Sequence, residues 1–219
     1  MKKLLIVSLL AVAVVLAGCS EPQAKTKTKA VYMLLDTSGT YTKELDKAQK
    51  IINYLLLTLN SGDSIAVARI DSGSFSEKDI MAKVSFDARP SVVNGQKRTF
   101  KRKVDDFVAD TKGSAHTDIS GGMLQAAEFL TETNADEKYV LVFSDLDEDL
   151  AKGNIRDFVI PLVGIKVVAL NVTKLRKDNI DPREYLQRLD NWEERVVQGG
   201  GSWKVVNDLE RLDRMLAGT

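Results

Sequence analysis

Two runs of this chain, AVYMLL at Ala30–Leu35 and YVLVF at Tyr139–Phe143, are apolar throughout, and an aspartate follows each: Asp36 directly, Asp145 after one serine. Successive side chains of a strand point to opposite faces, so a strand without alternation is covered on both. Strands of that kind belong to parallel sheets, whose helical crossovers supply the cover. The rest of the pattern agrees. Leu45, Ala48, Ile51, Ile52, Leu55, Leu56 and Leu59 recur at helical spacing, and Ser61-Gly62 stops the run. Ser64–Ile70 reads as a strand. Ile80, Ala82, Val84 and Phe86 alternate with Met81, Lys83, Ser85 and Asp87, which predicts an antiparallel edge strand solvated on one face. Phe100, Val104, Phe107 and Val108 mark a second helix; Ile119, Met123, Leu124, Ala127 and Leu130 mark a third, directly after Thr117. Strand Ile165–Asn171, helix Pro182–Val197, strand Trp203–Val206 and helix Asp208–Leu216 complete the series. The expectation is an α/β fold: an open, mostly parallel, doubly wound sheet with one antiparallel edge strand, in one domain over residues 29–219.

The amino end reads differently. Lys2 and Lys3 precede the apolar run Leu4–Leu16, which is short for a bilayer span but suits the core of a secretory signal, so residues 1–18 are set apart from the fold. The run ends in Leu16-Ala17-Gly18-Cys19 and resembles the lipobox of bacterial lipoproteins, in which the cysteine is lipidated and becomes the mature amino terminus. Cys19 is the only cysteine, so disulfides are excluded. Residues 19–28 are then the lipidated cysteine and a short polar tether, the stretch Ser20–Thr28 reaching about 30 Å when extended. Without its 18-residue leader the chain keeps 201 of 219 residues, with 29 basic and 31 acidic side chains. That near balance gives no global attraction to nucleic acid. The expected location is the cell envelope, on the outer membrane facing the periplasm in a Gram-negative source, because Ser20 rather than aspartate follows the cysteine.

Ligand sites of open α/β sheets collect in the crevice beyond the strands' carboxyl ends. Asp36 and Asp145 occupy two such ends, the stretch DTSGT adds Ser38 and Thr40, and Thr117 lies in a loop entering a helix on the same rim. Carboxylates and hydroxyls without imidazole or thiolate suit a hard cation such as Mg²⁺ or Mn²⁺. The set resembles a von Willebrand factor type A domain with a metal-ion-dependent adhesion site. The family's D-x-S-x-S motif is matched by Asp36-Thr37-Ser38-Gly39-Thr40, its loop threonine by Thr117-Asp118-Ile119, and its last aspartate by Asp145. The resemblance implies that Ser38, Thr40 and, in some members, Thr117 hold the metal directly, that Asp36 and Asp145 act mainly through waters, and that an Asp or Glu of an envelope or extracellular partner completes the coordination without catalysis. Two positions depart from the family pattern: Ala115-His116 stands where glycines are usual before the threonine, and Leu146 where a glycine follows the last aspartate.

Around this set, His116 reads as a solvent-facing loop residue, and it and Asp147 are the candidate partner contacts. Asp147-Glu148-Asp149 reads as a solvated turn. Lys97, Arg98, Lys101, Arg102 and Lys103 form a basic cluster that reads as a solvated helix face, with contact to anionic headgroups or an acidic partner as the other reading. Trp192 and Trp203 read as core or margin. Two other functions fit parts of the sequence. One is a von Willebrand A-like scaffold without functional metal. The other is a haloacid-dehalogenase-like phosphatase with Asp36 as nucleophile, since DTSGT resembles that family's D-x-D-G-T. The latter needs a second carboxylate where this chain has Ser38, and Lys166 or Lys174 as its phosphate-binding lysine.

Overall fold

The first apolar run forms strand β1, Lys29–Asp36, and its alternate side chains divide between two cores. Val31, Met33 and Leu35 enter one; Ala30, Tyr32 and Leu34 enter the other. The structure, a computed structural model, describes residues 27–39 and 41–217. The remaining strands are β2 Ser64–Ile70, β3 Ile80–Ser85, β4 Glu137–Phe143, β5 Ile165–Leu170 and β6 Ser202–Val206. They form one sheet in the order β3-β2-β1-β4-β5-β6. Every pairing is parallel except β2 with β3, so the solvated-face strand is the antiparallel edge its alternation predicts.

Among the described residues five α-helices cover the sheet: α1 Leu45–Thr58, α2 Pro90–Asp110, α3 Ile119–Glu132, α4 Pro182–Gln198 and α5 Leu209–Ala217. The apolar stripes of α1, α2 and α5 close the first core with Ile52, Phe100 and Leu212; α3 and α4 close the second with Met123 and Trp192. Burying each such side chain is worth about 2 kcal/mol over leaving it in water. That gain selects the two-sided cover the apolar strands require. Helix α2 begins well before its first predicted apolar mark, because its opening turns carry Ser91, Asn94, Gly95 and Gln96 and only Val93 is buried there. The basic cluster on this helix differs from expectation at one position. Lys97 is not simply solvated: its Nζ donates to the Leu59 carbonyl at 2.6 Å and lies 5.5 Å from the Phe86 ring centre.

At the amino end of the sheet, Thr28, expected in the tether, is already bound to the domain: its backbone N–H donates to Asp136 Oδ2 at 2.8 Å. At the chain's other end Leu212 and Leu216 of α5 are buried, Lys29 Nζ donates to the Leu216 carbonyl at 2.5 Å, and the Tyr54 hydroxyl bonds Asp213. Among the described residues no helix is long and apolar enough to cross a membrane. Cys19, residues 1–18, which read as a leader, and Thr40 lie outside the described residues.

The order of strands places the site. After β1 the chain moves outward through β2 to β3, and after β4, β1's other neighbour, it moves outward through β5 to β6. Opposite departures open a crevice between the carboxyl ends of β1 and β4.

Candidate functional site

Asp36 ends β1 and is fully buried, and both carboxylate oxygens have donors. Oδ1 accepts the Ser38 backbone N–H at 2.8 Å and Oδ2 the Ser144 hydroxyl at 2.7 Å. The second contact follows from register: Leu35 lies opposite Phe143, so the next residue of each strand, Asp36 and Ser144, is level. Ser38 forms an isolated parallel bridge with Ser114, which ties DTSGT to the loop before α3. Thr117, in that loop, is buried and forms an antiparallel bridge with Asp149, with N–H to carbonyl distances of 2.8 and 3.0 Å. The structure therefore brings Asp36, Ser38, Thr117 and Asp145 to one rim. Among the described residues neither the Ser38 nor the Thr117 hydroxyl has a hydrogen-bond partner, and no buried side-chain oxygen is left without one, so the Thr117 hydroxyl itself reaches the surface.

Asp145 is 5 % exposed, and its Oδ1 accepts the Asp147 backbone N–H at 3.0 Å. Burial, aided by the negative charges of Asp36 and Asp147, pushes its carboxyl up to about 6. Tyr41 senses the same pair: burial first, then the charges of Asp145 and Asp36, raise its hydroxyl, which donates to the Asn171 carbonyl at 2.6 Å. Among the described residues no lysine, arginine or histidine pairs with the carboxylate of Asp36 or Asp145. The nearby Arg188 guanidinium offsets part of this charge without bonding either carboxylate, and two neighbouring buried carboxylates with no ion pair of their own form a place where a cation is favoured. Two carboxylates and two unengaged hydroxyls are hard oxygen donors and fit Mg²⁺ or Mn²⁺.

The backbone after β4 is held in an uncommon shape. Leu146 has φ +66°, in the left-handed region that glycine enters without steric cost. This is one of the two departures from the family pattern. The leucine is kept there by its burial in the second core and by its N–H, which donates to Ser144 Oγ at 2.9 Å. Arg188 of α4, itself buried, holds the preceding peptide: Nε donates to the Asp145 carbonyl at 2.9 Å. Its Nη atoms grip Asp178 at 3.2 and 2.8 Å and hold that carboxyl below the usual range.

The acidic run is solvated at Asp147 and Asp149, as expected, and covered at Glu148, but none of the three is unpartnered. Each carboxylate has its own partner: Asp147 takes Lys177 at 2.8 Å, Glu148 takes the Ser120 N–H at 2.7 Å and Arg195 at 3.1 Å, and Asp149 lies 2.9 Å from His116 Nδ1. His116 is thereby engaged within the protein, its side chain 39 % exposed. Sequence reasoning also passed over Asp118. Fully buried, it caps α3 through the Gly121 N–H at 2.8 Å, accepts the Ser74 N–H at 3.1 Å and takes Arg156 at 2.6 Å. Its place before Ile119-Ser120-Gly121 was the available signal, an aspartate at a helix start. Ser144, Ser114 and Arg188 had none, since their partners come from other elements.

Beside the rim opens a cavity of about 510 Å³, lined among others by Leu146, Asp147, Lys177, Arg188, Trp192 and Arg195. Asp36, Ser38, Thr117 and Asp145 do not line it.

Solved structures similar to this chain include BatB from Bacteroides thetaiotaomicron, with a TM-score of 0.51 and 13 % identity over 87 % of this chain and 96 % of that one. A von Willebrand factor type A protein from Catenulispora acidiphila matches with a TM-score of 0.51 and 13 % identity over 88 % of this chain and 42 % of that one. The fold is that of a von Willebrand factor type A domain. The pilus adhesin SpaC from Lactobacillus rhamnosus GG carries the same fold at a TM-score of 0.50 and 9 % identity, with 90 % of this chain covering 30 % of that one. This von Willebrand A-type chain thus spans under half the length of the last two. No protein-family model and no curated protein matches it.

Proposed function

We propose that this chain is a divalent-metal-dependent protein-binding module, anchored to an envelope membrane through lipidated Cys19, whose metal captures an Asp or Glu of an envelope or extracellular protein. The von Willebrand A-type fold is that of a protein-interaction module. One observation carries the metal dependence: Asp36 and Asp145 are buried side by side with no cationic side chain paired to either carboxylate. Mg²⁺ or Mn²⁺ would supply a Lewis-acidic centre whose charge neutral hydroxyl ligands leave largely uncompensated, and so an attraction for an incoming carboxylate. The chain's own residues have separate tasks. Ser38 and Thr117, with Thr40 from the DTSGT sequence, offer the hydroxyls. Asp36 is immobilised by the Ser38 N–H and the Ser144 hydroxyl. Asp145 is immobilised by the Asp147 N–H and, through its carbonyl, by Arg188. His116 and Asp147 flank these donors, and the partner would meet them with their own partners already in place.

The geometry does not favour a phosphatase. That chemistry needs a second carboxylate two residues after the nucleophile, and Ser38 stands there. Lys166 sits at the amino end of β5 beside Glu137, away from the carboxyl-end rim, and Lys174 lies over the Tyr185 ring.

The test is thermal unfolding with and without Mg²⁺ or Mn²⁺. A ligand bound only to the folded state raises the melting temperature by mass action, and Ser38→Ala should lose most of that rise while leaving the metal-free stability within about 0.5 kcal/mol of the parent's. No metal-dependent shift at millimolar Mg²⁺ or Mn²⁺ would leave only the scaffold reading.

A further inference from the structure

The rim lies at one pole of the sheet; the chain's amino-terminal segment enters at the other. There the first described residue is Lys27, immediately before β1. That pole also carries exposed aliphatic side chains. Leu57, one residue from the end of α1, is 82 % exposed; Val163, in the turn before β5, is 83 % exposed; Val197, in the last turn of α4, is 57 % exposed. Val163 and Val197 belong to one feature. The Gly200 N–H donates to the Val197 carbonyl at 2.9 Å, and Gly200 packs so closely on Val163 that a Cβ there would lie 2.9 Å from a valine methyl. The turn is stiff: the Leu162 N–H donates to the Gly199 carbonyl at 2.8 Å and the Ile165 N–H to the Leu162 carbonyl at 2.9 Å. Lys27 and Lys166 both lie against Glu137, at 3.8 and 3.9 Å.

We propose that this amino pole is a docking surface for a phospholipid bilayer, with Leu57, Val163 and Val197 entering the headgroup layer. The inference rests on the lipid-anchor reading of Cys19. Eight positions separate Cys19 from Lys27, and at about 3.3 Å each they hold the pole within roughly 26 Å of the anchored cysteine. Aliphatic side chains at three points would bind a membrane weakly by themselves. Tethering changes the arithmetic, because a linker of that length gives an effective concentration in the millimolar range. Apolar contact rather than charge then sets the interaction, so it needs no anionic lipid and resists salt. Docked this way the domain stands upright, with Asp36 and Asp145 directed away from the bilayer.

The test uses the full-length lipidated protein in phosphatidylcholine vesicles doped with a spin-labelled phosphatidylcholine. Acylation consumes the only native thiol, so a bimane can be placed selectively on Val163→Cys or, at the opposite pole, on Ile155→Cys. Ile155 is 78 % exposed, which makes it a matched control. Quenching at position 163 should exceed that at 155 at least threefold, persist in 0.5 M NaCl, and fall at least twofold when Leu57→Ser and Val197→Ser are added. Circular dichroism checks that these exposed substitutions leave the fold intact. Equal quenching at both positions, or none at 163 in protein that floats with the vesicles, overturns the docking surface. Quenching at 163 replaced by a concentration-dependent bimane shift without lipid assigns the pole to a second copy and also overturns it. Protein that fails to float, with an unmodified Cys19 by mass spectrometry, overturns the anchor reading and the docking surface with it.

Discussion

Asp145 is held in the folded domain at a cost that depends on pH, and Asp145→Asn measures it. Burial, with the charges of Asp36 and Asp147, raises its carboxyl from 3.8 to about 6. A pKa separation of one between the folded and unfolded chain corresponds to about 1.4 kcal/mol, so the ionised form is disfavoured in the metal-free fold by about 3 kcal/mol. Between those two values the folded state binds more protons than the unfolded, and stability therefore falls as pH rises through the window, the loss being complete by about pH 7. Asparagine keeps the shape and the acceptor for the Asp147 N–H while removing the charge. In chelator at pH 7 the variant should be more stable than the parent by about 3 kcal/mol, which in a domain of this size is roughly 6–12 °C in melting temperature. At pH 3.5, where the parent carboxyl is already protonated, the two should coincide. Saturating Mg²⁺ should narrow the gap at pH 7, because it relieves the parent and has little to hold in the variant. Thermal melts at the two pH values, with chelator and with Mg²⁺, decide the matter. A variant no more stable at pH 7 than the parent, or one stabilised equally at both pH values, would refute the electrostatic account of this rim.

Other outcomes follow from the same contacts. Arg188→Lys cannot grip Asp178 with two nitrogens while also reaching the Asp145 carbonyl, and should cost about 3 kcal/mol in urea unfolding and weaken Mg²⁺ binding with it. Gly121→Ala would set a Cβ 2.3 Å from the Ser74 carbonyl oxygen and 2.7 Å from Asp118 Oδ2, so a loss of at least about 2 kcal/mol is expected by denaturant titration, together with faster hydrogen exchange at Ser74. Ser144→Ala leaves Asp36 Oδ2 without its donor and should destabilise the metal-free domain by about 1–3 kcal/mol; an unchanged melting temperature would mean that water replaces the hydroxyl.

What the sequence disclosed is what local pattern encodes. Apolar runs ending in Asp36 and Asp145 located both carboxylates, because a strand's burial is written in consecutive residues and ligand crevices lie at strand ends. The antiparallel edge was legible from the alternation at Ile80–Phe86 for the same reason. The contacts that hold the carboxylates were not. Ser144 reaches Asp36 only because β1 and β4 pair in one register, and Arg188 reaches Asp145 across 43 positions of chain. The acidic run was legible as solvated but not as partnered, because composition reports charge but not partners. Lys177, Arg195 and His116 lie far from it in sequence yet each meets one of its carboxylates. Asp118 was legible in principle, as a helix cap, but the neighbouring threonine drew the reading.

The chain enters through β1, and the DTSGT donors hang from the far end of that same strand. Suppose the domain is held by its amino-terminal side and a bound partner is pulled away from the rim. From Lys29 to Asp36 the load on Ser38 and Asp36 passes through eight residues of covalent backbone, and no hydrogen bond lies in series with it. The pairings of β1 with β2 and β4, seven residues on each side, act as bracing rather than as links. The share borne by Thr117 passes through its bridge to Asp149 and through α3, and the share borne by Asp145 crosses from β4 to β1 as shear, spread over all seven pairs at once. Traction that would peel an edge strand one bond at a time therefore meets, along this axis, a molecule that behaves as a strut.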